Sequence, residues 1–196
     1  KVQCNFVNAP TGDPTGELLQ WAMDDGNYSV VASVSVDADT PRFAYISNST
    51  FIKNATQFGY HINDDVGAVR AVTSLDYCLF EYGEYGLNST ILVKAGNTTQ
   101  SSGTVVVNFT TAFPDTNYVV FMTHNNDDGD DAGACETVTI SAGSFTATCE
   151  DDDGVNTTVD GDLIDWVAIT EGDWNITLNA APTIPFVSNL TSLTPT

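Results

Sequence analysis

Two kinds of residue in this chain are spaced as chemistry requires: asparagines in acceptor sequons, and carboxylates crowded into two short loops. N-x-[ST] sequons stand at Asn27, Asn48, Asn54, Asn88, Asn97, Asn108, Asn156, Asn175 and Asn189. Sixteen asparagines in a chain with 39 Ser and Thr would give roughly three such matches by chance. The excess predicts N-linked glycans, and therefore an exported protein. Two sequons fall inside alternating runs. In Val105–Thr110 the residues Val105, Val107 and Phe109 share one face and Asn108 takes the other. In Asp173–Leu178 the set Trp174, Ile176 and Leu178 leaves Asn175 on the outer face.

The carboxylates cluster in 126–131, with Asp127, Asp128, Asp130 and Asp131, and in 150–156, with Glu150, Asp151, Asp152 and Asp153. The two loops flank a hairpin expected over 136–149, so they share one end of the fold. Oxygen ligands around a glycine turn suit Ca2+, with Asp127, Asp128, Asp130, Asp151 and Asp153 as its ligands. A solvated acidic rim is the other reading. The spacing is not that of an EF-hand.

Four cysteines without CxxC spacing, Cys4, Cys78, Cys135 and Cys149, read as two disulfides in an exported chain. Three connectivities are open. The hairpin favours Cys135–Cys149, leaving Cys4–Cys78. Strict alternation puts Val138 and Ile140 inward with Phe145, Ala147 and Cys149, and turns Cys135 outward. A bulge near Cys135, or a bend after Ala134, is needed to join the pair. For catalysis there is little. His61 and His124 are the two imidazoles, and no nucleophile elbow, HExxH or phosphate loop occurs. The chain reads as a non-enzyme.

The charge is lopsided. Five bases face 26 acids, and residues 95–196 carry 15 acids and no base. Such a surface repels nucleic acid and anionic lipid and attracts cations. No apolar run is long enough to span a membrane. The absence of a starting Met and of a signal pattern reads as a mature secreted chain acting at or outside the cell surface.

The elements that must position these groups are strands. Helix signals are confined to a short amphipathic stretch at Gly16–Met23. About twelve alternating or β-branched runs, separated by Gly, Pro, Asp and Asn clusters such as 83–86, predict an all-β antiparallel sandwich or jelly roll. One of these runs is 68–73 and another is 174–179. The polar run Gly96–Gly103 coincides with the charge step and suggests a first β unit over 1–96 and a second over 97–181. A single continuous sandwich over 1–181 fits the same strings. No internal repeat is evident. Residues 182–196, rich in Pro, Ser and Thr, read as an extended tail open to O-glycosylation. Within it Ile184, Phe186 and Leu190 share one face and Asn189 the other. Apolar groups that enter a groove while the sequon stays in solvent suit a strand added to a neighbouring sheet, and so a head-to-tail homopolymer.

Residues 103–171 carry a pattern of aromatic and β-branched positions: Val107-Asn-Phe109, Phe113-Pro114, Tyr118-Val-Val-Phe121, Gly143-Ser-Phe145 and Ile164-Asp-Trp166-Val-Ala-Ile169. This resembles the H-type lectin domain, a small antiparallel β-sandwich also found at appendage and tail-fibre tips. The resemblance implies that Phe109, Phe121, Phe145 and Trp166 pack between sheets. It also implies sugar binding, although no sugar-binding position of that family can be matched here and the acidic insertion departs from its pattern. Two functions therefore remain open: a glycosylated structural subunit of a fibre or appendage, and a secreted carbohydrate-binding module using Ca2+.

Overall fold

A computed structural model describes residues 1–8, 10, 15–19, 22–35, 42–47, 53–64, 71–86, 92–101, 103–125, 134–150 and 163–171. Among them lie thirteen strands and no helix: β1 (Val2–Asn8), β2 (Thr15–Leu18), β3 (Tyr28–Ser35), β4 (Arg42–Ser47), β5 (Gln57–Asp64), β6 (Ser74–Glu81), β7 (Gly83–Gly86), β8 (Leu92–Thr99), β9 (Thr104–Asn108), β10 (Tyr118–Asn125), β11 (Ala134–Ser141), β12 (Ser144–Glu150) and β13 (Leu163–Thr170). All named pairings are antiparallel. The fold is the expected all-β sandwich class.

The strands form four sheets, β2-β5-β4, β1-β6-β3, β10-β13-β8-β7 and β11-β12-β9. Three apolar clusters order them as layers. Ile46, Phe58, Tyr60 and Ile62 from β4 and β5 face Val30, Leu75, Tyr77 and Leu79 from β3 and β6. On the far side of that second sheet, Phe80, Cys78 and Val31 meet Val93, Ala95, Val167 and Ile169. Beyond the third sheet, Ile164, Trp166 and Ala168 meet Val105, Val107, Phe145 and Ala147. The central strands of the two middle sheets, β6 and β13, are therefore packed on both faces. A strand buried on both sides has no need to alternate, which is why β13 reads as the nearly continuous apolar run Leu163-Ile-Asp-Trp-Val-Ala-Ile-Thr170.

Strand order reveals a repeat that the sequence conceals. The sheets β1-β6-β3 and β2-β5-β4 correspond one for one to β8-β13-β10 and β9-β12-β11. The correspondence extends to single hydrogen bonds. Leu19 and Met23 donate their N–H groups to the carbonyls of Thr56 and Ala55, as Phe109 and Phe113 do to Gly143 and Ala142. Asn27 N–H bonds Asp25 Oδ1 at 2.7 Å and Asn117 N–H bonds Asp115 Oδ1 at 2.8 Å. The Tyr28 hydroxyl reaches the carbonyls of Asn54 and Gln57 (3.0 and 2.8 Å), and the Tyr118 hydroxyl those of Ser141 and Ser144 (both 2.8 Å). In each copy an Asp-x-Asn-Tyr segment makes an Asx turn and its tyrosine staples a hairpin turn. Four residues in a chain of 196 are too few to stand out as a repeat, so the absence read from the sequence is corrected here.

Other corrections follow from the layers. The helical candidate Gly16–Met23 begins within β2, because Glu17 and Leu18 pair with Phe58 and Gln57. Of the expected run 68–73, residues 71–73 precede β6, which starts at Ser74, and 68–70 lie outside the described residues; the expected turn 83–86 is the short edge strand β7. The boundary at 96/97 falls inside β8, where Gly96 lies opposite Trp166. The first half of the polar run thus proves to be the end of a strand, with Gly96 set against a large ring. The run expected at 174–179 lies outside the described residues, as does the tail.

Candidate functional site

Both disulfides join residues directly opposite in a ladder, Cys4 with Cys78 and Cys135 with Cys149. The bulge that the second pair needs is present: the register slips between Thr137 and Thr139. Val138 is the extra residue, 57% exposed instead of inward. Ile140 is also half-exposed, because β11 is the edge of its sheet. Two such bridges belong to an oxidising, non-cytoplasmic setting.

Of the nine sequon asparagines, Asn27, Asn54, Asn97 and Asn108 are among the described residues, and all four are exposed. Asn108 keeps the outward face that alternation gave it, between buried Val107 and half-buried Phe109. At Asn54 the Thr56 hydroxyl lies 3.0 Å from Asn54 Oδ1, and the Thr56 N–H donates to the same oxygen at 2.9 Å. The acceptor and hydroxyl residues of that sequon are therefore held together in one turn. Asn48, Asn88, Asn156, Asn175 and Asn189 lie outside the described residues. So do Asp127, Asp128, Asp130, Asp151 and Asp153, and the tail residues Ile184, Phe186 and Leu190. Among the described residues no group of His, Cys, Asp and Glu is placed to hold a metal ion. His61 and His124 are both buried, and burial pulls the His124 imidazole down to about 4. It is neutral at pH 7.

Phe109, Phe145 and Trp166 pack as the resemblance implies, with ring centroids 5.7–6.0 Å apart. Phe121 does not. In β10 the inward residues are Tyr118, Val120 and Met122, so Phe121 takes the opposite face and is 48% exposed. It closes one side of a groove of about 500 Å³ whose other wall is Cys4, Phe6, Val31, Ser33 and Asp76. Phe6 beside it is 55% exposed. The groove crosses the face of the β1-β6-β3 sheet, from Phe6 on the edge strand β1 to Phe121 beyond β3.

The junction between the two repeats holds a buried polar cluster that the sequence does not announce. Lys53 Nζ lies 2.9 and 3.1 Å from the carboxyl oxygens of Asp165, with side chains 9% and 0% exposed. Lys53 also donates to the Tyr28 carbonyl at 2.7 Å and lies 3.1 Å from the Tyr82 hydroxyl, which in turn donates to Asp165 Oδ1 at 3.1 Å. Val30 N–H donates to Asp165 Oδ2 at 3.1 Å, and Ala32 N–H to the Thr123 hydroxyl at 3.3 Å. These two donors belong to the outer edge of β3, whose ladder partner β6 is on the other side. Side chains of the second repeat thus satisfy an otherwise open sheet edge of the first. Burial pushes the Asp165 carboxyl up, against the opposing pull of Lys53. A second buried lysine, Lys94, pairs with Glu84 at 2.8 Å, donates to the Thr111 carbonyl, and lies over the rings of Phe109 and Phe113. Two of the five bases are therefore spent inside the protein. The cue available in sequence was Asp165 itself, a lone acid within an apolar run.

Residues 86–170 match the family model of a putative tail fiber protein gp53-like C-terminal domain, which spans less than half of the chain and starts upstream of β8. The match points to a structural component of a fibre or appendage. It supports the tail-fibre side of the resemblance and not a lectin as such. No curated protein and no solved structure matches the chain. Among the described residues no helix is long and apolar enough to cross a membrane.

Proposed function

We propose that this protein is an extracellular, N-glycosylated structural subunit of a fibre or surface appendage, built of two repeats of one β-sandwich unit. The carrying observation is the tail-fibre match over residues 86–170, reinforced by the equivalent strand order of residues 2–81. Glycans at the sequons are supported by the exposure of Asn27, Asn54, Asn97 and Asn108. Assembly is head to tail: the segment Ile184–Leu190 of one copy lays its apolar face in the groove between Phe6 and Phe121 of the next. Three large side chains entering that groove contribute roughly 5–8 kcal/mol before ordering is counted.

Electron microscopy of the native protein tests the reading, together with a chain ending at Ala181. Filaments from the full chain and folded monomers from the shortened one are expected, and Phe6→Asp should act like the truncation. A strictly monomeric full chain, or unchanged filaments after truncation, refutes the assembly. A mass equal to the 20.9 kDa of the bare chain before glycosidase treatment refutes the glycans.

The exposed pair Phe6 and Phe121 favours one other use of the groove, as a stacking platform for a carbohydrate. In that case Phe121→Ala abolishes sugar binding on a glycan array and leaves the oligomeric state unchanged.

A further inference from the structure

The buried cluster at the junction has the parts of a condensation site. Lys53 Nζ lies within hydrogen-bond distance of both carboxyl oxygens of Asp165, which brings Cγ into the near-attack range of about 3–3.5 Å. The Tyr82 hydroxyl bridges the two groups, accepting from Nζ and donating to Oδ1. The rings of Tyr28 and Tyr82 stand 5.4 and 5.3 Å from Nζ and help to wall the pair off from water. We propose that Lys53 and Asp165 condense after folding to an intramolecular isopeptide bond that locks the first repeat to the second.

The step balances without any co-reactant. The Lys53 ammonium passes one proton through the Tyr82 hydroxyl to Asp165 Oδ1, leaving a neutral amine beside a neutral carboxylic acid. Burial favours that acid form, since it raises the Asp165 carboxyl. The nitrogen lone pair attacks Cγ and the C–N bond forms. The Val30 N–H, already on Oδ2 at 3.1 Å, stabilises the oxyanion that develops there. A second proton leaves nitrogen for the departing hydroxyl, the Cγ–O bond breaks, and one water is released. Nothing is oxidised or reduced. The product is a neutral amide with its hydrogen-bond partners in place, which removes the cost of holding two charges in a desolvated site. The bond would resist force across a junction otherwise held by side-chain contacts, and it requires nothing of the tail or of polymerisation.

The test is the mass of the full chain after glycan removal and disulfide reduction, with peptide mapping. The expected mass is one water below that of the linear chain, with the Lys53 and Asp165 peptides recovered as one branched species. Lys53→Arg keeps the charge and cannot condense in this way, so it should retain the full mass. Asp165→Asn can lose ammonia instead and reach the same final mass as the wild-type product. The map of the wild-type chain needs no variant to fold. An undiminished wild-type mass with two linear peptides overturns the proposal, as does water loss that persists in Lys53→Arg.

Discussion

Gly96 offers a sharp test of the layered fold, because two readings of its neighbourhood predict opposite signs. If Gly96–Gly103 were a flexible linker, Gly96→Ala would restrict the unfolded chain and stabilise the protein by about 0.4–1 kcal/mol. In the structure a Cβ at this position would stand 2.9 Å from Trp166 Cζ2 and 3.2 Å from Cε2. The indole has little room to retreat. Phe109 and Phe145 crowd it, with centroids 6.0 and 5.7 Å away. Overpacking of this kind costs about 1–3 kcal/mol. In a chain of this size each kcal/mol lowers Tm by roughly 2–4 °C, so a fall of roughly 2–12 °C is expected by calorimetry. Trp166→Phe removes the clashing atoms. The double mutant should therefore show a coupling of roughly 0.5–3 kcal/mol between the two sites. Gly143→Ala is the control, since nothing lies within 4 Å of its added methyl, and it should move stability by less than about 0.5 kcal/mol. If Gly96→Ala is as stable as wild type or more so, β8 does not lie under Trp166 as described.

Three further outcomes are expected. Replacing Cys4 and Cys78 by Ser opens a loop with a sequence separation of 74, against 14 for Cys135 and Cys149. Chain entropy then gives losses of about 4–5 and about 3 kcal/mol, and equal denaturant midpoints for the two variants would contradict that order. The His124 pKa falls from 6.5 to about 4 on folding, so the unfolded chain takes up its proton first as pH drops. Stability should therefore fall between those values by at most about 3 kcal/mol, a slope that His124→Gln should flatten in urea titrations. While it remains a free carboxyl, Asp165 runs the other way, because its raised pKa favours the folded state as pH falls. Lys94→Met leaves Glu84 without its partner at 2.8 Å. Burial pushes the Glu84 carboxyl up, yet the Lys94 and Thr111 hydrogen bonds outweigh it and hold the group below its usual range. Its carboxyl resonance should move upward in the variant, and an unmoved titration would refute the pairing.

The sequence by itself determined what depends on local pattern. Period-two alternation fixed β9 and the outward face of Asn108, and the even cysteine count with a bracketing hairpin favoured the two disulfides observed, down to the need for a bulge. Alternating and β-branched runs between turn clusters pointed to the all-β class. What only the tertiary structure decided depends on which face meets which neighbour. Alternation shows that Phe121 and Val120 point opposite ways but not which side is solvent, so Phe121 was assigned to a core that Val120 occupies. β7 was read as a turn because two of its four residues are glycines. The repeat is carried by backbone pairing, turn residues and scattered core pairs such as Tyr28 with Tyr118 and Tyr77 with Trp166, so it emerges only when strand order is known. Lys53 and Asp165 stand 112 positions apart, and nothing local to either tells that folding brings them together. A long-range ion pair is set by the stacking of sheets, and no window along the chain contains both of its halves.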